Sequence, residues 1–315
     1  MNKTYIDIPK PRTMNQIQSI LRLTKGLVLS PIYCALSYFM RTPGLRFRAE
    51  CVNIGLQLTK RMKDRRSLWS AYELIFSPMD STRYFEFDFA SQCLSTTSAH
   101  HYLDVASPRL FPLVFLIRHP KVIGTLINPD VKDLEITKTL GHDLGLASRC
   151  SFHSDLIENI AFLPTSFDLI TCISVLEHIP DDVPALLKIW SLLKPRGHFI
   201  LTVPCKSQQE EQYISYNEYG ILSPGPNGYT FWQRYYDSSS LLTSIFNNIG
   251  KPIRSAIYGE KKNGTFAANA ALKRSLGPYY PFWKEPYLMG RDYRLYESVD
   301  KLPGEGAIAM EFLKL

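Results

Sequence analysis

Between His101 and Pro204 the chain alternates short apolar runs with amphipathic ones, and that alternation constrains its fold more than any other feature. "HYLDVAS", "KVIGTLIN", "RCSFHSD", "SFDLITCISV" and "HFILTVP" all have strand length. Strands that are apolar on both sides belong in a sheet covered on both faces, which is where parallel sheets occur. Between the last two lies "DDVPALLKIWSLLKPRG", where Val183, Leu186, Leu187, Trp190 and Leu193 share a helical face. Asp181 and Asp182 open that helix, and Pro195 and Gly197 punctuate its end. The pattern predicts a doubly wound α/β fold whose ligand sits beyond the C-terminal ends of the strands.

Beyond Pro204 the alternation resumes with a helix, "SSSLLTSIFNNIG", a strand, "PIRSAIYG", and a closing apolar strand, "GAIAMEFLKL". Two long connections, near 205–237 and 260–304, are rich in aromatic residues, proline and glycine. Long loops at the ligand edge of such a sheet carry function, and both are expected to form lids.

The first 95 residues read differently. "NQIQSILRLTKGL" and "AECVNIGLQLTKRM" have apolar residues at three-to-four spacing, and "SLWSAYELIF" suits a short helix. "SPMDSTRYFEFDF" reads as a turn followed by an extended segment. From Met1 to Ser70 there are 13 Lys and Arg against three acids, whereas the whole chain is only +7. Such asymmetry points to an anionic partner: a membrane surface, a phosphorylated substrate or nucleic acid. Within this region "GLVLSPIYCALSYFM", Gly26 to Met40, is apolar but contains Pro31 and is too short to span a bilayer comfortably. It also lacks a signal-peptide cleavage site. Two readings stand: a helix buried in the fold, which is the expectation, or one lying in the membrane interface with peripheral contact through residues 1–70. The six cysteines are scattered, without a C-x-x-C pair or a histidine at ligand spacing. No metal site or disulfide framework is expected, and a reducing, cytoplasmic setting suits them.

"FHSDLIENIAFLPTSFDLITCISVLEHIPD", Phe152 to Asp181, resembles the central segment of the class I S-adenosylmethionine-dependent methyltransferases. "LLKPRGHFILTVP" resembles the helix end and strand that follow it there. The likeness is nearest to the broad group that includes quinone-biosynthesis and other small-molecule methyltransferases, and it covers roughly residues 100–205. It implies a Rossmann-like, mostly parallel sheet of about seven strands over residues 96–315. The helical residues 1–95 would cover the acceptor pocket. The implied cofactor is S-adenosylmethionine, with S-adenosylhomocysteine as product. Asp104 stands at the loop aspartate of the family, Asp155 and Leu156 at the adenine site, and Ser174 and Val175 beside the methionine and sulfonium.

Two features depart from the family. Its loop glycines correspond to Ala106, Pro108 and Leu110, and its ribose-binding acid corresponds to Leu126 in "GTLINPD", with Asn128 or Asp130 as substitutes. Ser107 is a good helix cap and Pro108 is favoured at a first helical position. A helix starting there would turn its amides, together with Arg109, toward the cofactor carboxylate.

Methyl transfer needs in-line positioning and, for many acceptors, removal of a proton. His178, in "LEHIP", is the candidate base, and Glu177 is expected to be an exposed or structural acid. Tyr216, Tyr229, Trp232 and Tyr236 would shape the acceptor site, with Tyr235 beside them. The expected activity is methyl transfer to a small-molecule or lipid- or sugar-linked acceptor. A degenerate methyltransferase fold acting as a scaffold is the alternative, and an RNA methyltransferase a lesser one because no RNA-binding module is present.

Overall fold

The computed structural model describes residues 2–7, 16–61, 65–95, 99–215 and 220–315. Strand β1 (Asn2–Ile6) precedes four helices, α1 (Gln16–Phe39), α2 (Leu45–Arg61), α3 (Arg65–Phe76) and α4 (Arg83–Leu94). Strands and helices then alternate through β2 (His101–Val105), α5 (Leu110–Arg118), β3 (Ile123–Ile127), α6 (Val131–Asp143), β4 (Cys150–His153), β5 (Phe167–Ile173), α7 (Asp182–Leu192) and β6 (Leu193–Cys205). A hairpin of β7 (Glu210–Ile214) and β8 (Thr230–Tyr235) follows. The helical turns α8 (Ser238–Ser240) and α9 (Asn247–Ile249) flank a π-helical stretch, Leu241–Phe246. The chain closes with β9 (Arg254–Glu260), α10 (Thr265–Leu276), α11 (Glu285–Asp292), β10 (Tyr293–Tyr296) and β11 (Gly306–Leu313).

The main sheet has eight strands in the order β10-β9-β11-β6-β5-β2-β3-β4. Strands β4, β3, β2, β5 and β6 are mutually parallel, and β11 runs antiparallel between β6 and β9. The chain winds from β2 out to β4, then crosses back to β5 on the other side. That reversal opens a crevice above the ends of β2 and β5, the position where doubly wound folds bind ligands. Alternating residues of β5 serve the two faces: Leu169 and Ile173 pack with Phe47, Phe87 and Phe111, whereas Ile170 and Cys172 pack with Leu186 and Ile189 of α7.

Three expectations for the N-terminal region need correction. Arg83–Leu94, read as extended, is a helix. Tyr84, Phe85, Glu86, Phe87, Phe89, Ala90, Cys93 and Leu94 are all buried, so its apolar residues occupy every side and leave no helical stripe in the sequence. Phe87 packs on Phe47 and Phe111 at ring distances of 5.0 and 5.2 Å, while Phe85 stacks on Tyr258 of β9 at 5.3 Å. The N-terminal region thus supplies part of one layer of the fold. Residues Asn2–Ile6, expected in a helical region, instead pair in parallel with β7, giving a three-stranded sheet, β1-β7-β8. Finally, α1 is only half covered: Gly26, Ser30 and Ser37 face inward, while Leu27, Val28, Ile32, Tyr38 and Phe39 are exposed. Among the described residues no helix is long and apolar enough to cross a membrane.

Candidate active site

The loop after β2 is shaped from within. Asp104 is buried, and its carboxylate accepts hydrogen bonds from Thr171 Oγ1 (2.6 Å), the Ser107 amide (3.1 Å) and the Tyr102 hydroxyl (3.2 Å). Burial pushes its pKa up to about 6 against those hydrogen bonds. Ala106 then turns with φ +48°, the left-handed region that favours glycine, while its amide donates to the Ile127 carbonyl at 2.8 Å. Ser107 Oγ accepts from the Ile173 amide at 3.0 Å. Asp104, Ala106 and Ser107 therefore lace the ends of β2, β3 and β5 together.

The expected helix cap is absent. Helix α5 begins at Leu110, two residues beyond Pro108, and has no side-chain cap, because Ser107 is committed to β5. Arg109 does project to the crevice, but Nε (3.1 Å) and Nη2 (2.5 Å) both contact Asp133 Oδ1. Asn128 Nδ2 donates to the other Asp133 oxygen at 3.0 Å. Asp130 caps α6 by accepting from the amides of Lys132 and Asp133. Leu126, at the place of the ribose acid, is buried in the core and lines neither cavity described below.

Two adjoining cavities occupy the crevice. A polar one of about 460 Å³ is bounded by Ala106–Leu110, Asn128, Ser174 and, from the N-terminal region, Ser77–Asp80, Arg83 and Phe87. An apolar one of about 350 Å³ is bounded by Ile127, Leu156, Ile157, Ile214, Phe231 and Trp232. Ala106, Pro129, Val175, His178 and Ile221 belong to both walls. Asp155 is exposed and, unlike its neighbour Leu156, lines neither cavity; its Oδ1 accepts from the Leu156 amide and Asn159 Nδ2. The Trp232 side chain lines the apolar cavity, and its indole N–H is buried with no hydrogen-bond partner among the described residues. A buried donor left unpaired is costly.

His178 sits in the partition. Its Nδ1–H donates to the Trp232 carbonyl at 2.5 Å, which fixes the tautomer and leaves Nε2 with the lone pair. Burial lowers its pKa to about 4, so the ring is neutral at ordinary pH. Nε2 lies 3.9 Å from Glu177 Oε1. Of the two roles expected for Glu177, exposed or structural, the exposed one does not hold: it is buried, and burial raises it to about 8 against the pull of Arg83.

The residues missed by sequence reading come from α4. Glu86 Oε1 accepts from Ser174 Oγ (2.6 Å) and Thr202 Oγ1 (3.2 Å), and Arg83 pairs with both Glu86 and Ser174. No signal announced them, because their segment carries no helical stripe. Of the lid aromatics, Trp232 alone among the described candidates lines a cavity. Tyr229 donates to Asp7 across the small sheet, and Tyr236, fully buried, donates to Asp182 at 2.6 Å. Tyr235 donates to Glu305 at 2.6 Å. Tyr216 lies outside the described residues.

A methyltransferase-domain family model matches residues 125–250, the stretch from β3 through α9 that holds much of this crevice. That stretch, about two fifths of the chain, is similar to the class I S-adenosylmethionine-dependent methyltransferases. A ubiquinone biosynthesis O-methyltransferase of Alkalilimnicola ehrlichii is 25% identical over 166 residues, 52% of this chain and 66% of that protein. Just under two thirds of that relative's length is thus covered. One of Vibrio cholerae is 20% identical over 194 residues, 61% of this chain and 78% of that one. The crystal structure of MccD protein, 10% identical, superposes with a TM-score of 0.50 over 73% of this chain and 96% of its own, a likeness of fold. Outside the matched stretch, Glu73 of α3, Ser77–Asp80, and Arg83 and Phe87 of α4 wall one side of the crevice.

Proposed function

We propose that the chain transfers a methyl group from S-adenosylmethionine to an oxygen of a small apolar acceptor, with His178 receiving the acceptor's proton. The observation that carries the reading is the position of His178: a neutral imidazole of fixed tautomer in the wall shared by a polar and an apolar cavity. The relatives are O-methyltransferases by name, which favours oxygen as the acceptor atom.

The cavities have the size of small-molecule sites and suit the cofactor's two ends. Arg109, Asn128 and the loop from Ala106 would hold the amino-acid end, and Leu156 and Ile157 would flank the adenine, with exposed Asp155, next to Leu156, accepting its amine. When bound, the cofactor supplies an already activated methyl on a sulfonium. What remains for the protein is orientation, exclusion of water and the proton. Ser174 and Val175 position the reacting end, and Trp232 and Phe231 close the apolar side. Proton uptake at His178 Nε2 places the imidazolium beside Glu177.

The pairing of Arg109 with Asp133 favours a second reading, a degenerate fold that binds a partner instead of a cofactor. Calorimetric titration with S-adenosylhomocysteine separates the two. Micromolar binding that weakens about tenfold in Asp155→Ala supports the enzyme. No detectable binding supports the scaffold. Against hydroxylated apolar acceptors, His178→Ala should cut kcat about a hundredfold or more while cofactor affinity holds.

A further inference from the structure

Two features of the N-terminal region stand apart from this site. One is the outer face of α1. Leu27, Val28, Pro31, Ile32, Tyr38 and Phe39 recur at helical spacing and are all exposed, Leu27 by 54%, Ile32 by 52% and Phe39 by 81%. No charged residue occurs from Gly26 to Met40, while Lys25 and Arg41, both exposed, bracket the stripe. Its length from Leu27 to Phe39 is about 18 Å at the helical rise. A monomeric protein rarely leaves so continuous an apolar surface to water.

The other feature is a cleft of about 1260 Å³ at the β9–β10 edge of the sheet, into which Tyr38, Phe39 and Met40 also project. Arg41, Arg46, Arg254, Lys261 and Arg294 line it against a single acid, Asp88. Among the described residues, Arg46 alone of these cations is held in an ion pair, with Glu50 at 3.7 Å, and its side chain is 84% exposed. Arg254 lies over the Phe89 ring at 5.2 Å, and Lys261 donates to the carbonyls of Gly290 and Arg291, so both cations are fixed at the wall. The stripe and the cationic cleft are continuous through Tyr38–Met40.

We propose that this face docks on an anionic lipid bilayer, the α1 stripe sinking to the boundary of headgroups and acyl chains while the cleft receives phosphate headgroups. The charge pattern selects the occupant. An apolar stripe with cations at its ends and beside it matches an interfacial helix over acidic lipid. A second copy of this chain would set one cationic cleft near another, and a nucleic acid offers no apolar layer for the stripe. The inference rests on α1 and the β9–β10 edge and does not depend on the reading of the methyl acceptor.

Sedimentation of the full chain with phosphatidylcholine vesicles, with and without phosphatidylglycerol, tests it. Binding should require phosphatidylglycerol and weaken with added salt. Leu27→Glu together with Ile32→Glu should reduce partitioning at least tenfold. Arg254→Gln and Arg294→Gln should each cost about fivefold, the equivalent of about 1 kcal/mol per cation near the surface. All variants should keep the parent's melting temperature and its affinity for S-adenosylhomocysteine. Equal binding to neutral vesicles, or unchanged binding of the double glutamate variant, would overturn the proposal. So would full competition by glycerol phosphate, or a parent dimer in solution that the glutamates dissociate.

Discussion

Glu86, in the N-terminal helix α4, accepts a hydrogen bond at 2.6 Å from Ser174, the residue that follows β5 and lines the crevice. Arg83 closes the same triangle. Ser174 has φ +49°, and its amide donates to Thr202 of β6 at 3.0 Å. A strained residue at the ligand edge of the sheet is therefore held by a carboxylate from outside the alternating core. Glu86 acts through Ser174, so its part in catalysis would be one of positioning.

Glu86→Ala should be costly for stability as well as for the site. It removes the buried partner of Arg83 and of two hydroxyls, and loss of one side of such a network costs about 3 kcal/mol. Urea unfolding measures this, and a change within experimental error would show that the triangle contributes little. Removal of residues 1–95 takes away Arg83, Glu86 and the aromatic layer of Phe47, Phe85 and Phe87 together. It should leave an insoluble or inactive core. A soluble, active truncation would make the region an appendage instead.

Ala106→Gly should raise stability. A non-glycine residue in the left-handed region costs about 1–2 kcal/mol, and the added chain entropy of glycine returns roughly half of that. A rise of a few degrees in Tm with cofactor affinity retained is expected. A lower Tm would mean that the alanine methyl packs usefully enough to outweigh its φ of +48°.

The alternating core was legible because its signal is local. Apolar runs of strand length separated by amphipathic ones led to β2, β3, β4, β5, β6, α7, β9 and β11. The site was legible only in part. His178, Val175, Ala106 and Asn128 converge on the crevice. Leu126, Tyr229 and Tyr236 do not, because the direction of a side chain at a strand end or in a lid depends on pairings between distant segments. The same limit hid α4, whose all-round burial erases the period that marks a helix. It also hid β1, whose one strand partner among the described residues, β7, is some two hundred residues away in sequence.

Arg109 offers a test of the cofactor loop itself. Its Nε and Nη2 are engaged by Asp133, so a ligand carboxylate must share the guanidinium with that residue. Arg109→Ala should weaken S-adenosylmethionine binding about tenfold, the worth of one charge-assisted contact, without unfolding the protein. Asp133→Asn should do the opposite and tighten binding, because the competing charge is gone. If neither substitution moves the Kd measured by calorimetry, Arg109 belongs to the α5–α6 contact alone.

Glu177 makes stability depend on pH in a direction that can be worked out. Burial raises its folded pKa to about 8, from 4.5 as the ordinary value, so the folded chain keeps a proton that the unfolded chain has released. Stability is then lost as pH rises through that window, at up to about 1.4 kcal/mol per unit. His178 works in the other direction: its folded pKa of about 4, below the ordinary 6.5, costs stability as pH falls below 6.5. Glu177→Gln removes the first dependence and keeps a neutral hydrogen-bonding group. Its Tm should be close to the parent's near pH 5, exceed it by a margin that widens toward pH 8, and level off above. A margin that stays constant from pH 5 to 9 would show that Glu177 is ionised in the fold, and that Arg83 outweighs its burial.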